Sequence, residues 1–209
     1  MIVKICGLKD PVNIKAVAEL APDYMGFIFY HPSPRFAADL PADTLAGISP
    51  AIQKTVVFVN EGAERVNELI EKYHFDAIQL HGDESPEFCA KFIGKVKVIK
   101  AFGLNNNFNF ARLNPYAGKV DFFLFDTKTD LHGGSGKTFD WSILEGYQLN
   151  VPFCLSGGIS LDNLNEVKNI NHPQFYGVDL NSKFETAPGM KDIDKLDKAF
   201  DIIKHSLYK

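Results

Sequence analysis

The sequence predicts a single-domain α/β protein, a (β/α)8 barrel of the TIM type, on three observations. Short apolar runs recur eight times along the chain, and segments with helical spacing lie between them. The 209 residues divide into about 26 per strand–helix unit, a tight but sufficient length for this architecture. The runs are also nearly continuous in apolar, β-branched or aromatic residues, as parallel strands buried on both faces must be.

The predicted strands are IVKIC (2–6), YMGFIF (24–29), TVVFVN (55–60), DAIQL (76–80), KVIKAF (97–102), DFFLFD (121–126), PFCLSG (152–157) and FYGVDL (175–180). After the first, Val12, Lys15, Ala16 and Glu19 fall at helical intervals, and after the third so do Ala63, Val66, Leu69 and Ile70. PADTLAGIS and NFARLN are short and give weaker helix signals. Ser85-Pro86-Glu87 opens the helix after the fourth strand, and Ser160-Leu161-Asp162 the one after the seventh. The final helix repeats Ile193, Leu196, Ala199, Phe200 and Ile203. An open doubly wound sheet is the rival architecture. Its dinucleotide version requires G-x-G-x-x-G after the first strand, and KICGLKD lacks it. No linker or low-complexity segment divides the chain.

A net charge of −4 offers no basic field for nucleic acid. Any anionic substrate must therefore be held by local donors, with glycine-loop amides the first candidates. The three cysteines, Cys6, Cys89 and Cys154, form no C-x-x-C motif and suit a reducing, cytoplasmic setting. The chain enters a strand at once, without a leader. No apolar run approaches the roughly 20 residues of a membrane helix, so no membrane partner is expected.

GGSGKTFDW (133–141) resembles a nucleotide-binding loop but is not one. Gly136, Lys137 and Thr138 supply its tail, while Leu131 occupies the place of the first glycine.

In a (β/α)8 barrel the active site gathers at the C-terminal strand ends. Those ends here carry Cys6, Arg35, Asn60, His81, Asp126, Ser156 with Gly157 and Gly158, and Asp179 with Asn181 and Ser182. Cys89 and Cys154 read as small buried hydrophobes, the default for a free cysteine. Cys6 ends a strand beside a glycine, where a thiol can act on substrate. Lys4 shares its face by strand alternation. It either favours the thiolate or pairs with a carboxylate such as Asp179.

Asp126 follows four apolar residues; it either caps the next loop or serves as a general acid at a dry rim. Acting from two sides of one small substrate, Cys6 and Asp126 suit an isomerisation. Arg35, stiffened by Pro32 and Pro34, reads either as a solvated surface residue or as a fork for a carboxylate. His81 can cap structure, orient a neighbour or touch substrate. SGG after the seventh strand and NS after the eighth fall where this fold binds phosphate.

Taken together, the motifs resemble those of the phosphoribosylanthranilate isomerases of tryptophan biosynthesis. KICGLKD resembles the family's opening and GFIFYHPSPRF its G-F-x-F-x-x-x-S-P-R segment. VFVN, QLHGDE, IKAF, LFDT, GGSGKTFDW, LSGGI, GVDLNSKFE and PGMKD follow in the family's order, spanning almost the whole chain.

The resemblance implies an Amadori rearrangement of N-(5-phosphoribosyl)anthranilate, without cofactor or metal, by a monomer whose partner is a small phosphorylated substrate. It implies Asp126 as the acid, Cys6 as the base and Arg35 as the ligand of the anthranilate carboxylate. Gly157, Gly158, Asn181 and Ser182 would hold phosphate, His81 and Asp179 would line the site, and Gly133–Lys137 would close over it.

Three positions, Lys9, Asn181 and Lys183, depart from the pattern. Lys9 replaces Thr, and NSKFE replaces S-S-G-x-E, so that a left-handed backbone at Lys183 would be costly. Other readings are the histidine-pathway isomerase, which works with paired aspartates, a metal-dependent epimerase, for which His81 alone is too few ligands, and a catalytically silent binding subunit.

Overall fold

In the computed structural model, which describes residues 1–37, 40–127 and 140–204, eight parallel strands close into a barrel. They are β1 (Ile2–Cys6), β2 (Tyr24–Ile28), β3 (Gln53–Phe58), β4 (Ala77–Leu80), β5 (Lys97–Leu104), β6 (Phe122–Thr127), β7 (Phe153–Leu155) and β8 (Phe175–Leu180). Each pairs with the next in sequence, and β8 returns to β1 with Lys4 opposite Asp179. An antiparallel hairpin, β9 (Glu185–Ala187) and β10 (Met190–Lys191), follows β8. The segment Gly133–Lys137, expected to cover the site, lies outside the described residues.

Strand alternation divides the apolar residues between two cores. One face of each strand points into the barrel, where Tyr24, Ala77, Ile99, Ala101, Phe122, Leu124 and Cys154 meet. The other face packs against the helices, and this is where the phenylalanines are spent. Phe123 and Phe125 stack, Phe153 stacks on Phe125 with centroids 5.0 Å apart, and Tyr147 meets all three edge-on.

The helices are α1 (Pro11–Glu19), α2 (Ala42–Ala46), α3 (Ala63–Tyr73), α4 (Pro86–Ala90), α5 (Leu164–Lys168) and α6 (Ile193–Lys204). Asp10 caps α1 by accepting from the Asn13 amide, and Ser85 caps α4 by accepting from Phe88. The buried faces of α3 and α6 are the expected ones, Val66 with Leu69, and Leu196, Ala199, Phe200 and Ile203.

Three details differ from the sequence reading. α1 buries Asn13, Ile14 and Val17, leaving Val12 79% exposed, because that face meets the hairpin: Asn13 exchanges two hydrogen bonds with the Lys191 backbone. α5 starts at Leu164 rather than Ser160, since Ser160 closes a turn in which its amide donates to the Asn163 side chain. The elements after β5 and β6 are 3-10 helices, Phe110–Tyr116 and Trp141–Gly146. The first contains Pro115, which lacks the amide hydrogen an α-helix would use there.

Candidate active site

The alternation that fills the barrel also aims its rim. On β6, Phe122 and Leu124 point inward, so Asp126 does too. The same count carries Lys4 to Cys6 on β1, Gln79 to His81 from β4, Cys154 to Ser156 from β7, and Asp179 to Asn181 from β8. A cavity at the C-terminal mouth of the barrel is lined by Cys6, Arg35, His81, Asp126, Gly157, Gly158, Asp179, Asn181 and Ser182. Of the rim residues expected, Asn60 alone is missing from this wall, and the loop Gly133–Lys137 lies outside the described residues. Ile28, Val57, Val59 and Ile159 add apolar wall.

Cys6 is buried, and Gly26 on the neighbouring strand leaves room for it: a Cβ there would lie 2.7 Å from the thiol sulfur. Burial pushes the Cys6 thiol up from its ordinary value, opposed by Lys4. Lys4 donates to Asp179 at 3.0 Å in the barrel interior, so both sequence readings of Lys4 hold at once. Burial would lower the Lys4 ammonium, but Asp179 and Cys6 together raise it, so it stays charged. Asp179 is raised by burial against the pull of the same lysine. Ser156 donates to its other oxygen at 3.5 Å.

Asp126 faces His81, with Nε2 3.6 Å from Oδ2. His81 Nδ1 lies 2.8 Å from the Gln79 amide nitrogen. Gln79 thus holds the His81 ring through Nδ1, with Nε2 turned toward Asp126. The turn carrying His81 is clamped from behind. Buried Glu84 accepts from the amides of Asn60 and Gly82, and Lys100 reaches Glu84 at 3.2 Å and the carbonyls of Leu80 and Gly82.

Gly157 and Gly158 both have positive φ, 80° and 67°, conformations that glycine adopts without strain. The Asn163 side chain donates to the Gly158 carbonyl and braces the turn, whose two glycines line the cavity. Lys183 lies in a single 3-10 turn with no left-handed backbone, so the expected strain at this non-glycine does not arise. Its side chain is exposed and is absent from the cavity wall. Lys9, the other departure, donates to the Pro34 carbonyl at 2.8 Å and so ties down the loop bearing Arg35.

Three residues escaped the sequence reading. Gln79 is buried on the cavity wall, and its amide oxygen has no partner among the described residues. A polar residue two before His81 on an apolar strand was the available signal. Glu185 and Lys191 stand behind Arg35 and Asn181, and nothing local in the sequence joins them. Among the described residues, no group of three or more His, Cys, Asp or Glu side chains is placed to hold a metal ion, and no helix is long and apolar enough to cross a membrane.

A closed parallel barrel with a thiol, a carboxyl, an arginine and a two-glycine turn lining one rim cavity defines a (β/α)8-barrel enzyme acting on a small anionic substrate. The profile of the family described as N-(5'phosphoribosyl)anthranilate (PRA) isomerase matches residues 3–202. The N-(5'-phosphoribosyl)anthranilate isomerase of Parabacteroides distasonis is 47% identical over 208 residues, covering 98% of this chain and 94% of that one.

Among solved structures, phosphoribosyl anthranilate isomerase from Thermotoga maritima superposes with a TM-score of 0.84 at 32% identity, covering 98% of this chain and 100% of that one. Another phosphoribosyl anthranilate isomerase, solved in complex with reduced 1-(o-carboxyphenylamino)-1-deoxyribulose 5-phosphate, gives 0.81 at 28% identity, over 98% and 100% of the two chains. The chain belongs to the N-(5'-phosphoribosyl)anthranilate isomerase family, the isomerases of tryptophan biosynthesis.

Proposed function

We propose that Cys6 is the base and Asp126 the acid of the Amadori rearrangement that converts N-(5-phosphoribosyl)anthranilate into 1-(2-carboxyphenylamino)-1-deoxyribulose 5-phosphate. The observation that carries this assignment is the convergence of both side chains, from β1 and β6, on one cavity. Protonated Asp126 gives its proton to the ribose ring oxygen, the ring C–O bond breaks, and the anthranilate nitrogen supplies the electron pair of a Schiff base. The Cys6 thiolate then takes the proton from carbon 2, and the released pair forms an enolamine. Loss of the enol proton and protonation at carbon 1 give the ketone, with no net gain or loss of protons.

The site's electrostatics support both roles. Lys4 lies beside Cys6 and stabilises the thiolate that burial disfavours. Asp126 stands at the edge of the apolar barrel, its side chain 14% exposed, where a neutral carboxyl is tolerated. Arg35 binds the anthranilate carboxylate. The turn amides at Gly157 and Gly158, with Asn181 and Ser182, bind the phosphate, while His81 and Asp179 line the cavity between them. All these groups come from one chain, so the proposed site needs no residue from a second copy, as the monomer reading requires. The cysteine pattern supports the cytoplasm as its setting.

The test is the fluorescence decay of freshly made phosphoribosylanthranilate. The purified protein should accelerate it at catalytic concentration, and a decay equal to the spontaneous rate refutes the activity.

A further inference from the structure

The carboxylate of Glu185 takes part in no step above, yet it is the most heavily bonded acid near the cavity. Its side chain is 4% exposed. Oε1 accepts from Arg35 Nε at 2.9 Å, Lys191 Nζ at 2.7 Å and the Gly189 amide at 3.1 Å. Oε2 accepts from Arg35 Nη2 at 2.7 Å and Nε at 3.0 Å. Burial pushes this carboxyl up, but Arg35 and Lys191 more than offset it and hold it below the ordinary glutamate value. It is ionised at neutral pH.

Lys191 is buried too, and its ammonium spans Glu185 and the side-chain oxygen of Asn181, the latter at 2.8 Å. An ammonium can only donate, so the Asn181 carbonyl must face Lys191 and its NH2 must face away. Arg35 is fixed in a similar manner: the Nε–Nη2 edge is taken by Glu185, which leaves the Nη1 edge for a ligand. Gly7 lets the two meet over the end of β1, since a Cβ there would lie 2.6 Å from Arg35 Cδ and 2.8 Å from Asn181 Oδ1. Two cations share one carboxylate, so a positive charge is left in excess beside the cavity of an acidic protein.

We propose that Glu185 and Lys191 are positioning residues of the substrate site. Glu185 aims Arg35 at the aromatic carboxylate of the substrate, and Lys191 aims the Asn181 amide hydrogens at its phosphate. The proposal rests on the assignment of Arg35 and Asn181 as ligands of those two anions.

The test uses two probes, one for each end of the site: competitive inhibition by anthranilate and by inorganic phosphate. In Glu185→Gln, three donors surround an amide with one oxygen, so its NH2 must face a donor and the guanidinium shifts. Anthranilate inhibition should weaken about tenfold, as for loss of a charge-assisted fork, with phosphate inhibition changed by less than about threefold. Lys191→Met should do the reverse, because the Asn181 amide is then free to turn. In both variants the Michaelis constant should rise by more than turnover falls.

Glu185→Asp keeps the charge but is one methylene short of spanning both cations. It should give an intermediate loss, and it carries the test if Glu185→Gln does not fold. Equal weakening of both inhibitors in both variants overturns the proposal, since that is what a merely structural network would give. Wild-type inhibition in Glu185→Asp or Glu185→Gln overturns it as well. Arg35→Met separates the two levels. If it leaves anthranilate inhibition intact, the Arg35 assignment itself is wrong and the proposal falls with it. If it abolishes inhibition while both Glu185 variants match the wild type, only the positioning role is lost.

Discussion

Cys6 is the proposed base, a buried thiol, and Asp126 the proposed acid, so each can be tested alone. Cys6→Ala and Asp126→Asn should each lower turnover by about 10²–10⁴-fold, the usual worth of general acid–base catalysis. Cys6→Ser should be poor as well, since a hydroxyl is far harder to ionise than a thiol. Near-normal turnover in both Cys6→Ala and Asp126→Asn would sink the two-residue mechanism. Gly7 tests the site's packing. It has a φ of 82°, and a side chain there would strike both Arg35 and Asn181. Gly7→Ala should cost about 1–2 kcal/mol in a urea titration from the backbone alone, and raise the Michaelis constant as well.

Strand ends made the cavity-lining residues legible, because a barrel rim is defined by the last residue of each apolar run. Glu185 and Lys191 were not legible in that way. Their partner Arg35 is 150 positions from Glu185, and only the closed barrel brings them together.

For the elements, strand boundaries were readable to within two or three residues, since a run that is apolar on both faces has few alternatives. Helix faces were less so. In α1 the periodicity of Val12, Lys15, Ala16 and Glu19 describes a surface face, because a polar residue, Asn13, turns inward to pair with the Lys191 backbone. An inward asparagine reverses the hydrophobic count that a short helix offers. The consequence can be measured by chemical denaturation. Ile14→Ala should lose about 2–5 kcal/mol, as for a buried aliphatic truncated to a cavity, whereas Val12→Ala should stay within about 0.5 kcal/mol. Equal losses would mean that the face of α1 is misassigned.

For the whole molecule, the decisive seam is the one where β8 returns to β1. The sequence allowed Lys4 two roles, and closure of the barrel shows why it can fill both. Its register partner across the seam is Asp179, and its neighbour two residues along the same face is Cys6. One buried ammonium thus touches both the fold's seam and the proposed base, which predicts a linked loss. Lys4→Met strands the Asp179 carboxylate in the barrel and should cost about 3–5 kcal/mol, the usual penalty for an uncompensated buried charge.

The sign of its pH dependence follows. Without Lys4, the folded pKa of Asp179 rises further above its ordinary value of 3.8. The native state then keeps a proton that the unfolded chain has released, so stability falls as pH rises from that value through the folded pKa. Turnover should drop too, because the Cys6 thiol moves further up. In Lys4→Met with Asp179→Leu, the stranded carboxylate is gone. Much of the stability should return and the pH dependence that Asp179 contributes should vanish, but turnover should not recover. If the double variant is as unstable as Lys4→Met alone, the seam is not held by this pair. If it regains full turnover, Lys4 does not support the base.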